Sequence, residues 1–190
     1  MKKLDNKLDN FIHGWYMDTR ICDDLISFFE ANKQHQEPGR TDDGVTDLKK
    51  STDISIAITS DAPVPILNYF SCMKKLLKKY IKMYPHLNAV GEWGVVERCN
   101  IQKYKAGEAF FGTHCENSNI NTSHRMLVFQ TYLNTVTDGG ETEFTTYNLK
   151  MKAKKGLTIF FPSGWTHPHR GVVSLTQEKY IITGWFSYSR

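Results

Sequence analysis

Apolar residues recur along this chain at two different periods, and the change of period divides it. In residues 22–33, Leu25, Ile26, Phe28 and Phe29 fall at roughly helical spacing. Asp23 and Asp24 come early and Lys33 late, the polarity a helix dipole favours. Residues 34–44 are polar and carry the breakers Pro38, Gly39 and Asp43-Gly44, which predicts a loop. Thr52-Asp53-Ile54-Ser55-Ile56-Ala57-Ile58 alternates as a half-buried strand does. The longest helical pattern takes Asp61 as its N-cap and Pro63 and Pro65 in its first turn, and it runs to Tyr84, just before Pro85. Its apolar stripe comprises Ile66, Leu67, Phe70, Met73, Leu77, Tyr80, Ile81 and Tyr84. Lys75, Lys78, Lys79 and Lys82 fall on the other side, a solvated face without the interleaved aromatics of a single-strand nucleic-acid binder.

From Gly94 onward the texture is that of strands, over residues 95–104, 126–134, 156–162 and 179–188, punctuated by Gly139-Gly140 and Gly164. Helices first and strands afterwards predict an α+β layout. In it, helices within about residues 1–90 buttress one face of a β-sandwich or barrel formed by about residues 91–190. A chain of 190 residues suits a single domain with a core of its own. Charge changes this picture little, since 24 basic against 20 acidic residues leave a formal +4, too mixed for a nucleic-acid footprint. Cys22, Cys72, Cys99 and Cys115 form no Cys-x-x-Cys pair, which excludes a zinc ribbon and reads as reduced thiols. Residues 1–6 lead in without an apolar stretch, and no apolar run approaches the roughly 20 residues of a membrane span. The expectation is a soluble, cytoplasmic protein with no membrane partner.

Candidate chemistry enters at Gly112-Thr113-His114-Cys115-Glu116. Two residues apart on a strand, His114 and Glu116 share a face. An imidazole nitrogen and a carboxylate oxygen are two of the three ligands of a facial 2-His-1-carboxylate site, which suits Fe(II). Alone, the pair reads first as two polar side chains at the surface. A third ligand has to come from His13, His35, His86, His124, His167 or His169. The first three lie in the helical half or in polar loops and read as solvated, and His124 follows the Asn- and Ser-rich residues 117–123 as a surface residue. His167 and His169 come just after the strand through Leu157-Thr158-Ile159-Phe160-Phe161, and position alone does not separate them. On the last strand, alternation puts Lys179, Ile181, Thr183 and Trp185 on one face. A lysine aimed into an apolar barrel is costly unless an anion meets it.

Taken together, these residues resemble the Fe(II)- and 2-oxoglutarate-dependent dioxygenases, in particular the small prolyl 4-hydroxylase-like proteins of bacteria and viruses. The resemblance spans residues 104–185 and implies a double-stranded β-helix, or jelly roll, buttressed by the N-terminal helices. It implies Fe(II), 2-oxoglutarate as co-substrate and O2, with ascorbate as an accessory. In that family the distal histidine precedes a lysine or arginine by about ten residues; His169 stands ten before Lys179, and His167 twelve. The implied catalytic and metal-binding set is therefore His114, Glu116 and His169, with Lys179 on the distal carboxylate of 2-oxoglutarate and Thr183 on the same strand. Tyr104-Lys105-Ala106-Gly107 resembles the family's Tyr-x-x-Gly turn, whose tyrosine contacts the co-substrate. Thr131-Tyr132-Leu133-Asn134 followed by Asp138-Gly139-Gly140-Glu141-Thr142 is similar to its Tyr-Leu-Asn…Gly-Gly-Glu-Thr segment, which implies a bond from Tyr132 to that carboxylate.

One departure stands out. The family's proximal pair is His-x-Asp, and here glutamate takes the aspartate position. Trp185 reads as packing, Arg170 as an exposed residue or a substrate contact, and Cys115 as a thiol outside the ligand set. The implied reaction is hydroxylation of a C–H bond of a prolyl residue in a peptide or protein, with release of succinate and CO2. Oxidative demethylation of nucleic acid is the alternative within the same chemistry, although that branch usually ends its barrel in arginines where this chain has Lys179. A non-catalytic metal-binding jelly roll is the alternative outside it. Residues 34–50 and 117–123 are the expected substrate loops.

Overall fold

A computed structural model of the chain describes residues 9–41 and 44–189; residues 1–6 of the polar lead and Asp43 of the expected breaker lie outside them. In chain order the elements are β1 (His13–Tyr16), α1 (Thr19–Ala31), β2 (Glu37–Pro38), β3 (Thr52–Ile56), α2 (Val64–Met83), β4 (Trp93–Gly94), β5 (Cys99–Tyr104), β6 (Arg125–Tyr132), β7 (Thr142–Phe144), β8 (Leu149–Met151), β9 (Leu157–Pro162), β10 (His169–Gly171) and β11 (Lys179–Tyr188). The larger sheet runs β1-β9-β6-β11-β5-β3-β2, with β4 paired to the end of β11, and the smaller runs β10-β7-β8. Every pairing is antiparallel. Two such sheets with helices on the outside of one make the α+β jelly roll that the sequence leads one to expect.

Alternation along the long strands feeds two separate cores. Leu127 and Phe129 of β6, Phe160 of β9, and Ile182 and Phe186 of β11 point to the helices, where Leu25, Phe29, Ile66, Phe70 and Met73 meet them. Val128, Ile159, Phe161 and Ile181 point the other way, and with Phe144 of β7 they form the core of the jelly roll. Helices on one face leave the opposite face of β11, β5 and β6 free to line a cavity.

Gly184 keeps β11 close to its neighbours. A Cβ there would stand 2.6 Å from Phe129 Cζ and 3.1 Å from Cys99 Cβ, inside van der Waals contact. Gly184→Ala is expected to destabilise the fold by roughly 1–3 kcal/mol, as overpacking does. A lower midpoint in urea unfolding at unchanged slope is the measurement that checks it.

Several expectations are corrected. Asp61 does not cap α2. Pro63 occupies the N-cap position with no side-chain bond, its ring presetting φ at −53°, and the Asp61 carboxyl bonds Thr59 instead. The buried stripe of α2 runs through Ile66, Tyr69, Phe70, Met73, Leu76 and Tyr80, so Leu67 and Leu77 give way to Tyr69 and Leu76. Tyr69 can be buried because its hydroxyl meets Thr131 Oγ1 at 2.9 Å. His13 is half-buried, with Nε2 2.6 Å from the Tyr84 hydroxyl, on a strand where a polar lead was expected. Of the expected strand 95–104 only residues 99–104 form one, β5, and the short β4 lies just before the expected start. The smaller sheet went unpredicted because strands of three residues are too short to show a period.

Candidate active site

Between the two sheets lies a cavity of about 680 Å³. The larger sheet contributes Gln102, Gln130, Lys179, Thr183 and Trp185 to its wall, and the smaller contributes Thr142 and His169. Lys179, Ile181, Thr183 and Trp185 all face it, as alternation along β11 requires.

His114 and Glu116 arrive on an extended segment, not on the regular strand expected. That segment is fastened by main-chain bonds: His114 N–H donates to His169 O at 3.0 Å, His169 N–H returns to His114 O at 2.9 Å, and Glu116 N–H donates to Ser163 O at 2.9 Å. The isolated bridge between residues 114 and 169 suffices to bring both side chains to one side. Glu116 Oε1 lies 3.3 Å from His114 Nε2 and 3.4 Å from His169 Nε2. Ligand atoms of the three residues lie within 4.8 Å of one another, a separation that suits a metal ion.

Backbone carbonyls orient both imidazoles. His114 Nδ1 lies 2.9 Å from Gly112 O, and His169 Nδ1 3.0 Å from His167 O. A carbonyl can only accept, so the proton of each neutral ring sits on Nδ1 and the Nε2 lone pair faces Glu116. Phe110 stacks flat on the His114 ring, centroids 3.7 Å apart, while Phe144 and Phe161 pack around His169. Burial would push the Glu116 carboxyl up, but the hydrogen bonds and charges of the two histidines outweigh it and hold it well below the usual carboxylate range. Burial likewise pushes the His114 imidazole down, and its bond and charge to Glu116 reverse the shift. A cation seated between the two Nε2 atoms and Glu116 would take over the neutralising of that carboxylate.

Lys179, at the inner end of the cavity, is 5% exposed. Its Nζ donates to Gly140 O at 3.3 Å and stands 4.7 Å from the centre of the Tyr104 ring. Burial pushes the ammonium down to about 8, and the charge of Glu141 offsets only part of that. Among the described residues no carboxylate lies within salt-bridge distance of it. A buried cation facing a cavity suits an anionic ligand.

Other expected residues fall in different places. Tyr104 lines the cavity, its hydroxyl donating to Gln102 Oε1 at 2.8 Å. Thr183 lines it too, with its hydroxyl donating to Phe129 O at 3.0 Å. Tyr132 is a correction: its hydroxyl is engaged by Thr142 Oγ1 at 2.6 Å and Met151 O at 2.9 Å, behind the wall. Gln130 and Thr142, which the sequence reading passed over, hold the surface in front of it. Trp185 is a second correction, since its indole N–H donates to Glu116 Oε2 at 2.9 Å. Alternation had placed Trp185 on the right face, but its polar end was the signal to weigh. His167 turns away, its Nε2 2.8 Å from Asn10 O. His124 pairs with Glu97 at 3.1 Å, and Arg170 with Glu143 at 2.7 Å. Cys115 lines the cavity without joining the ligand cluster. Of the two expected substrate loops, Arg40, Thr41, Leu48 and Lys49 come to the wall from one, Ser118 and Asn119 from the other.

The model of the 2OG-Fe(II) oxygenase superfamily matches residues 99–187, the stretch that carries every group just described from Gln102 to Trp185. Over those residues the chain is similar to that superfamily. The match supports an oxygenase, and that superfamily implies Fe(II), 2-oxoglutarate and O2. No curated protein matches its sequence. Its fold is prolyl 4-hydroxylase-like. A viral collagen prolyl hydroxylase from Paramecium bursaria Chlorella virus 1 is 18% identical, with 94% of this chain and 97% of that one covered at a TM-score of 0.69. A Pseudomonas putida prolyl 4-hydroxylase is 17% identical, with 95% and 94% covered at 0.72. A Trichoplax adhaerens prolyl hydroxylase, solved with a peptide fragment of the hypoxia inducible factor oxygen degradation domain, is 16% identical, with 94% and 84% covered at 0.74. Among the described residues no helix is long and apolar enough to cross a membrane.

Proposed function

We propose that this oxygenase hydroxylates a C–H bond of a prolyl residue in a peptide or protein, converting 2-oxoglutarate to succinate and CO2 as it does so. His114, Glu116 and His169 would hold Fe(II), and Lys179 would hold the co-substrate. The observation that carries the reading is that the His–Glu–His cluster and the buried, carboxylate-free ammonium of Lys179 open into the same cavity. A structural metal site has no use for the lysine, and a simple anion site has no use for the cluster.

Iron with 2-oxoglutarate supplies the oxidising power that no side chain has. The chain's own groups bind and orient. His114, Glu116 and His169 would supply the three protein donors of a facial iron site. Lys179 would pair with the distal carboxylate of the keto acid in a low-dielectric pocket, where a charge-assisted bond is stronger than in water. Thr142, Gln130 and Tyr104 line the same pocket and offer neutral polar groups around that carboxylate. The Tyr104 hydroxyl is tied through Gln102 to the buried Lys49–Asp53 pair, which fixes the ring beneath Lys179. Trp165 and Leu48, both exposed, line the cavity and offer apolar surface that a peptide could use.

The test is succinate release under Fe(II), 2-oxoglutarate and ascorbate, with a proline-rich peptide or a methylated oligonucleotide as prime substrate. Stimulation by the peptide, with a product 16 Da heavier on proline, is the expected result. Stimulation by the oligonucleotide alone would transfer the enzyme to the demethylase branch. Stimulation by neither sinks the peptide assignment, and the uncoupled succinate signal still reports whether the iron site works.

A further inference from the structure

We infer that Trp185 is a positioning residue for the cluster carboxylate, and that it is what makes a glutamate serve there as a one-oxygen ligand. This rests on the metal-binding reading of His114, Glu116 and His169. The two oxygens of Glu116 face different neighbours. Oε1 stands between the Nε2 atoms of His114 and His169, at 3.3 and 3.4 Å. Oε2 accepts the indole N–H of Trp185 at 2.9 Å, with Arg125 Nη1 4.0 Å away. A carboxylate free to turn can offer both oxygens to one cation and occupy a position the co-substrate needs. Glutamate is the longer of the two acids, with one more rotatable bond than aspartate, so its direction has to be fixed from outside.

The indole is well placed to fix it. It is a donor only and does not titrate, so it engages Oε2 at every working pH. Its ring has little freedom, because the Arg125 guanidinium lies on its face at 3.7 Å. Arg125 is itself clamped: Nε and Nη2 donate to the Glu97 carboxylate at 2.7–3.1 Å, and Nη1 donates to Glu116 O at 3.1 Å. Glu97 in turn accepts from Ser187 Oγ at 2.9 Å, on the same strand as Trp185. The carboxylate, the indole and the guanidinium thus form a closed layer on the side of Glu116 away from the histidines. β11 carries both anchors, Lys179 for the co-substrate and Trp185 for the carboxylate, on one face.

Trp185→Phe keeps a ring beneath Arg125 and removes only the N–H. Metal affinity is read anaerobically by Co(II) and Fe(II) titration without 2-oxoglutarate, alongside the visible absorption of the Fe(II)–2-oxoglutarate complex and the melting temperature of the metal-free protein. Trp185→Phe is expected to weaken metal binding roughly 10- to 100-fold, as loss of an outer-shell partner does. It should diminish the visible band and leave the metal-free melting temperature within a few degrees. Glu116→Asp withdraws the carboxylate from the indole, so adding Trp185→Phe to Glu116→Asp should cost nothing further, a full coupling in the double-mutant cycle. Wild-type metal affinity in Trp185→Phe overturns the inference, and so does an equal extra loss in the Glu116→Asp background. A Trp185→Phe protein that fails to fold without metal also overturns it, in favour of packing. If the wild-type protein binds no metal, the underlying site assignment fails instead, and the two failures are told apart by that first titration.

Discussion

Alanine at position 169 is expected to cut 2-oxoglutarate turnover by at least about 1,000-fold, equivalent to roughly 4 kcal/mol of barrier. Losing an outer-shell partner of a metal ligand costs roughly 10- to 100-fold, and losing a ligand must exceed that. His169 supplies one of three donors, its ring buried among Phe144 and Phe161 and its Nδ1 proton committed to His167 O. The main-chain bonds between residues 114 and 169 do not depend on the side chain, so the fold should survive with a moderate loss of stability. Anaerobic Fe(II) titration and succinate release check it. Unchanged iron affinity in His169→Ala would remove this histidine from the site.

Lys179→Met is expected to change two quantities in opposite directions. Affinity for 2-oxoglutarate should fall by about 100-fold or more, since truncating one partner of a buried charge pair costs roughly 2–5 kcal/mol. The ligand-free protein should become more stable at neutral pH, because a buried ammonium is replaced by a chain of similar length. The sign follows from the shift. The ammonium is pushed from the ordinary lysine value of 10.5 down to about 8, so between those limits the unfolded chain binds the extra proton. Below pH 8 the folded protein bears the whole penalty, roughly 3 kcal/mol. The penalty is lifted as pH rises from about 8 to 10.5. Melting curves of wild type and Lys179→Met without ligand should therefore differ most below pH 8 and converge above 10. Added 2-oxoglutarate should raise the wild-type melting temperature at pH 7 and leave that of the variant unmoved. Equal stabilisation of both proteins by the keto acid would place its carboxylate elsewhere.

The sequence made the long-period features legible and the short ones obscure. Two helices and four long strands show their periods over enough residues to be read, and α2 and β11 lie close to where apolar spacing puts them. β7, β8 and β10 have three residues each, so nothing in composition distinguishes them from loops, yet β10 begins at His169. Alternation on β11 correctly put four side chains toward one cavity, because a strand inside a sheet has no other choice. Tyr132 obeyed the same alternation and still misled. Its face was right, but the neighbouring sheet placed Thr142 in front of its hydroxyl, and such sheet-to-sheet contacts leave no trace in a local pattern. Arg125 was invisible for the same reason, since its partners Glu97, Glu116 and Trp185 come from three other segments.

The reciprocal main-chain bonds between His114 and His169 tie together two segments far apart in sequence and outside any long ladder. If either residue leaves, both lose a donor and an acceptor, and a half-opened bridge strands polar backbone groups in a largely buried place. The two histidines consequently behave as one hinge-pin, seated or withdrawn together. A state with one imidazole in position and the other adrift is penalised by the backbone before any ion is considered. The backbone bridge thus couples the seating of the two imidazoles.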